Sequence, residues 1–398
     1  MKVLQINTVY NRSSTGKIAK GIHDVCKEYG IECISAYRYL EDKKNQEDTL
    51  TVSSWLDCHI HNRLVRYTKM QGCFSKIKTR KFIRKVKRYN PDIIHLHNIH
   101  GSYINFGVLF NFIKRSEIKV IWTLHDCWSF TGQCPYFDVV KCDKWKTECN
   151  ECPQYKGLMY PIRKMFKNKK KWYSDLNDMT IVTPSAWLKD LVKQSFLKDY
   201  PVKVINNGID LSIFRPTESD FRKKYSIGSK KMILGVAFDW GYRKGLDVFV
   251  ELANRLDKNE YQIVLVGTND EIDKWLPLNI ISIHRTNNQV ELAEIYTAAD
   301  LFVNPTREEN YPTVNMESIA CGTPVLTFNT GGSPEMLDDL CGSVVPVDDV
   351  DEMEAEIVRI CTSQVFSSDD CLSKSTEYDM NDRFKEYIEL YENSTYST

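Results

Sequence analysis

The chain has 398 residues, 42% of them apolar and 27% charged, and a net charge of zero. That length exceeds one ordinary core and that composition is ordinary for folded protein, so two domains of about 200 residues are expected and a disordered or fibrous chain is excluded. The zero hides a division: residues 1–205 hold 36 Lys and Arg against 19 Asp and Glu, a net +17, and the remainder carries −17, so the two halves should meet different partners and attract each other.

Taken in order, Met1-Lys2 runs straight into Val3-Leu4-Gln5-Ile6, too short and polar-interrupted for a signal peptide, and Lys2 to Thr8 reads as a buried strand. The thirteen cysteines are therefore expected to be reduced thiols in a cytosolic chain. With no run of eighteen apolar residues, membrane contact should be peripheral. A polar loop, Asn11 to Thr15, leads to Gly16, which opens a helix ending near Gly30; glycine at a strand-to-helix turn lets backbone approach a ligand closely. Ile31 to Tyr37 is a second strand, residues 40–50 a charged loop, and 55–90 a helical stretch. Between Lys76 and Arg88 stand eight basic residues and no acid, interleaved with Ile77, Phe82, Ile83 and Val86. This is either a solvated basic face or one drawn to anionic headgroups, and a second cluster, Arg163 to Lys171, favours a membrane-facing acceptor domain. No motif for nucleic acid accompanies the charge.

Pro91 to Asn98 is a strand on which His95 and His97 share a face; no third ligand follows at metal spacing, so lining a cleft is the expected role. Lys119 to Leu124 ends in His125-Asp126. Cys134, Cys142, Cys149 and Cys152 then place four thiols within nineteen residues, and two readings stand, a structural zinc or unmetallated cysteines. Strands at Met179 to Thr183 and Val202 to Asn206 complete a first sheet.

Asn207-Gly208-Ile209-Asp210, with Phe214-Arg215-Pro216 beyond it, is hinge punctuation. Strand Met232 to Ala237 feeds the loop Tyr242-Arg243-Lys244-Gly245-Leu246; further strands follow at Gln262 to Gly267, Asn279 to His284 and Leu301 to Asn304. From Asn304 to Phe328 the pattern is strand, loop, helix, strand, with Pro312 suited to the first helical position and Glu309 and Glu317 framing the helix start. Backbone N–H groups there favour an anion, while carboxylates accept hydrogen bonds from hydroxyls, so the ligand should be phosphorylated and rich in hydroxyls, as a nucleotide-sugar is. Asp379 to Glu392 has helical spacing at Phe384, Tyr387, Ile388 and Tyr391. Neither Gly-x-Gly-x-x-Gly nor a Walker pattern occurs, which argues against dehydrogenase and ATPase readings.

The spacing Glu309-x7-Glu317 followed by Ala320-Cys321-Gly322-Thr323-Pro324 resembles the signature of retaining family 4 glycosyltransferases, and the resemblance spans nearly the whole chain. The stretch Trp122 to Trp128, with the cysteine-rich segment, resembles exopolysaccharide and colanic-acid-type members. The resemblance implies an α/β GT-B fold, two doubly wound Rossmann-like domains facing across a cleft. Residues 1–206 would bind the acceptor and carry an insertion at 127–160; residues 207–378 would bind the nucleotide-sugar; residues 379–398 would return as a helix to the first domain. It further implies Glu309 on the donor sugar, Glu317 on the ribose, Lys244 on the diphosphate, His125 beside the anomeric carbon and Gly16 near the phosphates. Arg285, next to His284, would border the base, and His95 and His97 would lie on the acceptor side. Asn310-Tyr311-Pro312 stands where the family usually has Gly-Phe-Gly, with Thr313 following. Phe238 stands where an arginine is common, so Arg243 is expected to substitute. The implied activity is transfer with retained configuration and no catalytic metal, to a glycan or lipid-linked saccharide at an anionic membrane surface. The alternatives are a sugar-nucleotide epimerase of the same architecture and a non-enzymatic membrane scaffold.

Overall fold

Short apolar runs that are buried on both faces demand cover on both sides, which parallel sheets with flanking helices supply. The computed structural model describes residues 1–39, 48–155 and 160–395. Most of the charged loop expected at 40–50, and four residues of the insertion at 127–160, lie outside them. The chain divides into two compact units, Met1–Asn206 with Asn381–Thr398, and Asn207–Met380.

The first unit is built from β1 (Lys2–Ile6), α1 (Ser13–Glu28), β2 (Glu32–Tyr37), β3 (Thr49–Thr51), α2 (Trp55–Thr68), α3 (Lys76–Tyr89), β4 (Ile93–Leu96), α4 (Phe106–Ile113), β5 (Lys119–Thr123), α5 (Ile162–Tyr173), β6 (Met179–Thr183), α6 (Ala186–Gln194) and β7 (Val202–Val204). Its strands form one sheet in the order β3-β2-β1-β4-β5-β6-β7, all pairs parallel, with Leu4 opposite Ile34 on one side and Ile94 on the other. The strand order reverses between β1 and β4, so the crevice of this sheet opens at their carboxyl ends.

The single helical stretch expected over 55–90 is two helices. Lys69 caps α2 in the left-handed region at φ 55°, Ser75 precedes α3 at φ 58°, and apolar spacing alone did not register the break. Helix α1 likewise starts at Ser13, three residues before Gly16, which lies buried in its first turn.

The second unit contains α7 (Phe221–Lys224), β8 (Lys231–Val236), α8 (Leu246–Arg255), β9 (Tyr261–Val266), α9 (Asp270–Asp273), β10 (Ile280–Ile283), α10 (Gln289–Ala298), β11 (Leu301–Asn304), α11 (Thr313–Ala320), β12 (Val325–Phe328), β13 (Gly342–Val345), α12 (Val350–Ser363) and α13 (Ser368–Ser375). Its parallel sheet has the order β10-β9-β8-β11-β12-β13 and reverses between β8 and β11. Pro312, expected as the first helical residue of α11, is its cap instead: its ψ of 116° is extended, and the helix begins at Thr313.

A last helix, α14 (Met380–Thr395), packs onto the first unit, where Phe384, Tyr387, Ile388 and Tyr391 are all buried at the expected helical spacing.

Candidate active site

In the second unit the loops after β8 and β11 leave neighbouring strands at the point where the strand order reverses. The first carries Lys244 and the second Glu309, and their ammonium and carboxylate form an ion pair with each side chain 16% exposed. Burial alone would raise the Glu309 carboxyl, but the charge and hydrogen bond of Lys244, with the backbone N–H of Asn310 at 3.1 Å, hold it below the usual carboxylate value. The Glu309 carboxyl is therefore held ionised against Lys244.

Arg307, which sequence reasoning did not single out, stitches the two loops together. Its guanidinium is 6% exposed, lies 3.8 Å over the Tyr242 ring, grips Asp247 at 2.7 and 2.8 Å through two nitrogens, and meets Asp348 at 2.6 Å. Its backbone N–H donates to the Arg243 carbonyl at 2.8 Å, and the Arg243 side chain donates to the Glu308 carbonyl at 3.0 Å. Two glycines permit the approach. A Cβ on Gly245, at φ 71°, would meet the Pro305 carbonyl oxygen at 2.3 Å, and one on Gly331, at φ 55°, would meet the Glu309 carbonyl oxygen at 1.8 Å. Gly332 N–H then donates to the Asn310 carbonyl at 2.8 Å, so the Glu309 loop is held from both sides.

No side chain caps α11, whose start follows this loop; its first-turn N–H groups form the positive end of the helix. Asn310, Tyr311 and Pro312 are buried beneath it, and Thr313 is half-buried at its mouth. Glu317, one turn further on, accepts from the Tyr296 hydroxyl at 3.3 Å, a contact that orients the carboxylate. Phe238, standing where an arginine was anticipated, is fully exposed and contributes no charge. Arg285 is exposed after edge strand β10, and its neighbour His284 is paired with Asp273 at 2.6 Å.

In the first unit the histidines fall out differently from expectation. His95 and His97 do share a face, with ring centroids 4.0 Å apart, but both side chains are buried, at 0% and 1% exposed. His95 bonds the Tyr391 hydroxyl at 2.7 Å and Thr123 Oγ1 at 2.8 Å, fastening α14, and burial pushes its pKa down to about 3. His97 serves His125. Gln5 Nε2 donates to the Ala19 carbonyl at 3.0 Å, which turns its Oε1 toward His97 Nε2 at 2.9 Å. His97, held neutral chiefly by burial, must donate there, so its Nδ1 is bare and accepts from His125 Nε2 at 3.3 Å. The chain Gln5–His97–His125 thereby fixes the tautomer of His125, whose own pKa burial lowers to about 4. Beside it, burial would raise Asp126, but His100 at 3.4 Å and the Trp128 N–H at 2.8 Å keep it ionised.

Cys134, Cys142, Cys149 and Cys152 all line one small cavity in the insertion. Among the described residues no group of three or more His, Cys, Asp or Glu is arranged as a metal site. Burial pushes the Cys149 thiol up to about 11 and raises Cys134 further, partly through the neighbouring Cys152. Aromatic packing holds the segment instead: Trp145 stacks on Phe137 at 5.0 Å and meets Phe130 at 5.3 Å. The fully buried Lys169 Nζ donates to the carbonyls of Trp128 at 2.5 Å and Thr131 at 3.2 Å.

Residues 230–363 match the model described as glycosyl transferases group 1, and residues 36–213 match glycosyltransferase family 4. The putative colanic acid biosynthesis glycosyl transferase WcaC of Escherichia coli K12 is 20% identical over 99% of this chain and 100% of its own. The chain belongs to the family 4 glycosyltransferases. A Campylobacter jejuni relative named N,N'-diacetylbacillosaminyl-diphospho-undecaprenol alpha-1,3-N-acetylgalactosaminyltransferase is 27% identical over 49% of this chain and 55% of its own. Among solved structures, sucrose-phosphate synthase from Thermosynechococcus elongatus superposes with a TM-score of 0.73 at 15% identity, covering all of both chains. Anabaena HepE in complex with UDP and glucose does so at 0.68 and 12%, over 99% of this chain and 100% of its own. The fold is GT-B, and the enzyme is a glycosyltransferase.

Proposed function

We propose that this glycosyltransferase moves a sugar, with retained anomeric configuration, from a nucleoside-diphosphate donor to a growing glycan or lipid-linked saccharide in surface polysaccharide synthesis. The observation that carries the reading is the Lys244–Glu309 ion pair beside the uncapped start of α11. A donor diphosphate would draw Lys244 away from Glu309, adding the ammonium to the positive end of the helix. Both stabilise the charge that develops as the bond from anomeric carbon to phosphate breaks. Released from the lysine, Glu309 would accept hydrogen bonds from the donor sugar, and Glu317, oriented by Tyr296, from the ribose. Arg243 is the supplementary cation in place of the arginine that Phe238 replaces. On the first unit, the family resemblance makes Gly16 and His125 the candidate site residues, with His125 neutral and held in one tautomer.

Two cations and a helix end can supply the leaving-group stabilisation that a metal gives elsewhere, so the catalysis is assigned no metal. The polysaccharide assignment leans on the relative named for colanic acid, and the lipid-linked acceptor on the one named for a diphospho-undecaprenol substrate. Peripheral association at an anionic membrane is supported by the basic outer face of α3, where Arg80, Lys81, Arg84, Lys85, Lys87 and Arg88 are exposed. The test is a thermal-shift screen of the whole protein against nucleoside diphosphates and their sugars. At least one pair should raise the melting temperature, and none doing so would sink the donor assignment.

A further inference from the structure

Most surface helices bury one apolar face and show water a polar one. Helix α2 does not. It packs through Cys58 and His61, yet its outer face carries Leu56, Ile60, Leu64 and Tyr67, which are 62%, 52%, 39% and 68% exposed. Spaced four, four and three residues apart, they form one continuous stripe. Arg63 and Arg66 flank it on one edge, and Trp55, 58% exposed, stands at its amino end. The only acid on the helix, Asp57, is turned inward and bonded to Ser53 at 2.8 Å and Ser75 at 2.6 Å. Ser75 also bonds His61 at 2.8 Å, which ties the start of α3 to α2; there Ile77 adds another apolar side chain, 69% exposed.

We propose that α2 is the element of this enzyme that enters the membrane interface, lying along an anionic bilayer with its Leu56–Ile60–Leu64–Tyr67 stripe among the acyl chains, while its flanking arginines and the basic face of α3 meet the headgroups. This rests on the reading of a membrane-borne acceptor and names the surface that would reach it. A bilayer suits the two features together: the stripe needs an apolar phase, and the basic residues around it need anions in the same plane. A second copy of this face would set one run of like charges against another. No helix among the described residues is long and apolar enough to cross a membrane, so the binding is interfacial.

The test measures sedimentation of the full chain with vesicles of phosphatidylcholine alone or with about one third phosphatidylglycerol, at physiological salt. The wild type should bind only the anionic vesicles, and Ile60→Asp with Leu64→Asp should weaken that binding at least about tenfold with donor-induced melting shifts unchanged. Replacing Lys81, Arg84, Lys85 and Arg88 with glutamine should instead remove the salt-sensitive part. Should the aspartate pair perturb folding, Leu64→Trp gives a second readout: binding retained, with added indole fluorescence quenched by brominated acyl chains. Anionic vesicles that bind the wild type and the aspartate variant equally, or an unquenched Leu64→Trp, would overturn the role of α2 while leaving peripheral binding in place. Failure of the wild type to bind any vesicle, or binding only to an acidic protein, would overturn both.

Discussion

The two units have the same architecture and opposite electrostatic habits. The first holds seven of the eight histidines, and it settles the central ones, His95, His97 and His125, as neutral rings in two short hydrogen-bonded runs, Gln5–His97–His125 and Thr123–His95–Tyr391. The second settles its functional groups by pairing full charges: Lys244 with Glu309, and Arg307 with Asp247 and Asp348. Neutral groups keep their orientation when a ligand arrives, whereas an ion pair can exchange partners. The first arrangement suits holding a sugar in place, and the second suits receiving a diphosphate.

The largest effect should come from splitting the pair on one side only. Lys244→Ala leaves Glu309 buried and uncompensated, at a cost of about 3–5 kcal/mol of stability, and should lower turnover at least about tenfold. Glu309→Gln should lower turnover comparably with a smaller loss of stability, because a neutral amide tolerates burial better than a lone charge. The double variant should recover part of the stability, measurable as a coupling energy in urea melts; strict additivity would mean that the pair does not matter to the fold. Arg307→Lys comes next. It keeps the charge but loses the two-pronged grip on Asp247, so donor affinity should fall severalfold, roughly 1 kcal/mol, with the Lys244 side chain intact. Unchanged affinity would demote Arg307 to packing.

Acid should separate the units. A histidine whose folded pKa lies below its unfolded value of about 6.5 costs stability as pH falls from there toward the folded value, because only the unfolded chain takes the proton. His95, at about 3, and His125, at about 4, therefore tax the first unit by up to about 1.4 kcal/mol per pH unit each across the window from roughly 6.5 down to 4. Glu309, with its pKa lowered, stabilises the second unit above the unfolded carboxylate value of about 4.3 and loses that contribution only as pH falls below it. Melts at pH 7 and pH 5 should thus show the first unit weakening and the second holding, the second being identified by its response to nucleoside diphosphate. Equal loss in both would erase the contrast. The smallest effect belongs to Gln5→Leu, which frees His97 to adopt either tautomer. Turnover should drop by about three- to tenfold while donor affinity in the second unit stays put.

Much of this was legible in the residues. Buried parallel strands read as apolar runs, and the runs at Lys2–Ile6, Lys119–Thr123 and Leu301–Asn304 stand where the pattern put them. Glu309, Glu317 and Lys244 came from a motif, and the structure brings Lys244 and Glu309 into contact although 65 positions separate them. What escaped was whatever depends on a third dimension. Arg307 looks like one more polar loop residue until Asp247 and Asp348, far off in the chain, are folded around it. His95 and His97 share a strand face, as period two requires, but only the return of α14 decides that the face is closed. The four cysteines do gather at one cavity, yet spacing could not say whether their sulfur atoms converge on a point.

The central claim is that the Lys244–Glu309 pair is the seat of the donor diphosphate. Calorimetric titration of the whole protein with the nucleoside diphosphate found by thermal shift tests it most directly, run beside Lys244→Ala and Gln5→Leu. The account predicts that Lys244→Ala weakens binding at least about tenfold, roughly 1.4 kcal/mol, and that Gln5→Leu binds as the wild type does. Wild-type affinity in Lys244→Ala would contradict it.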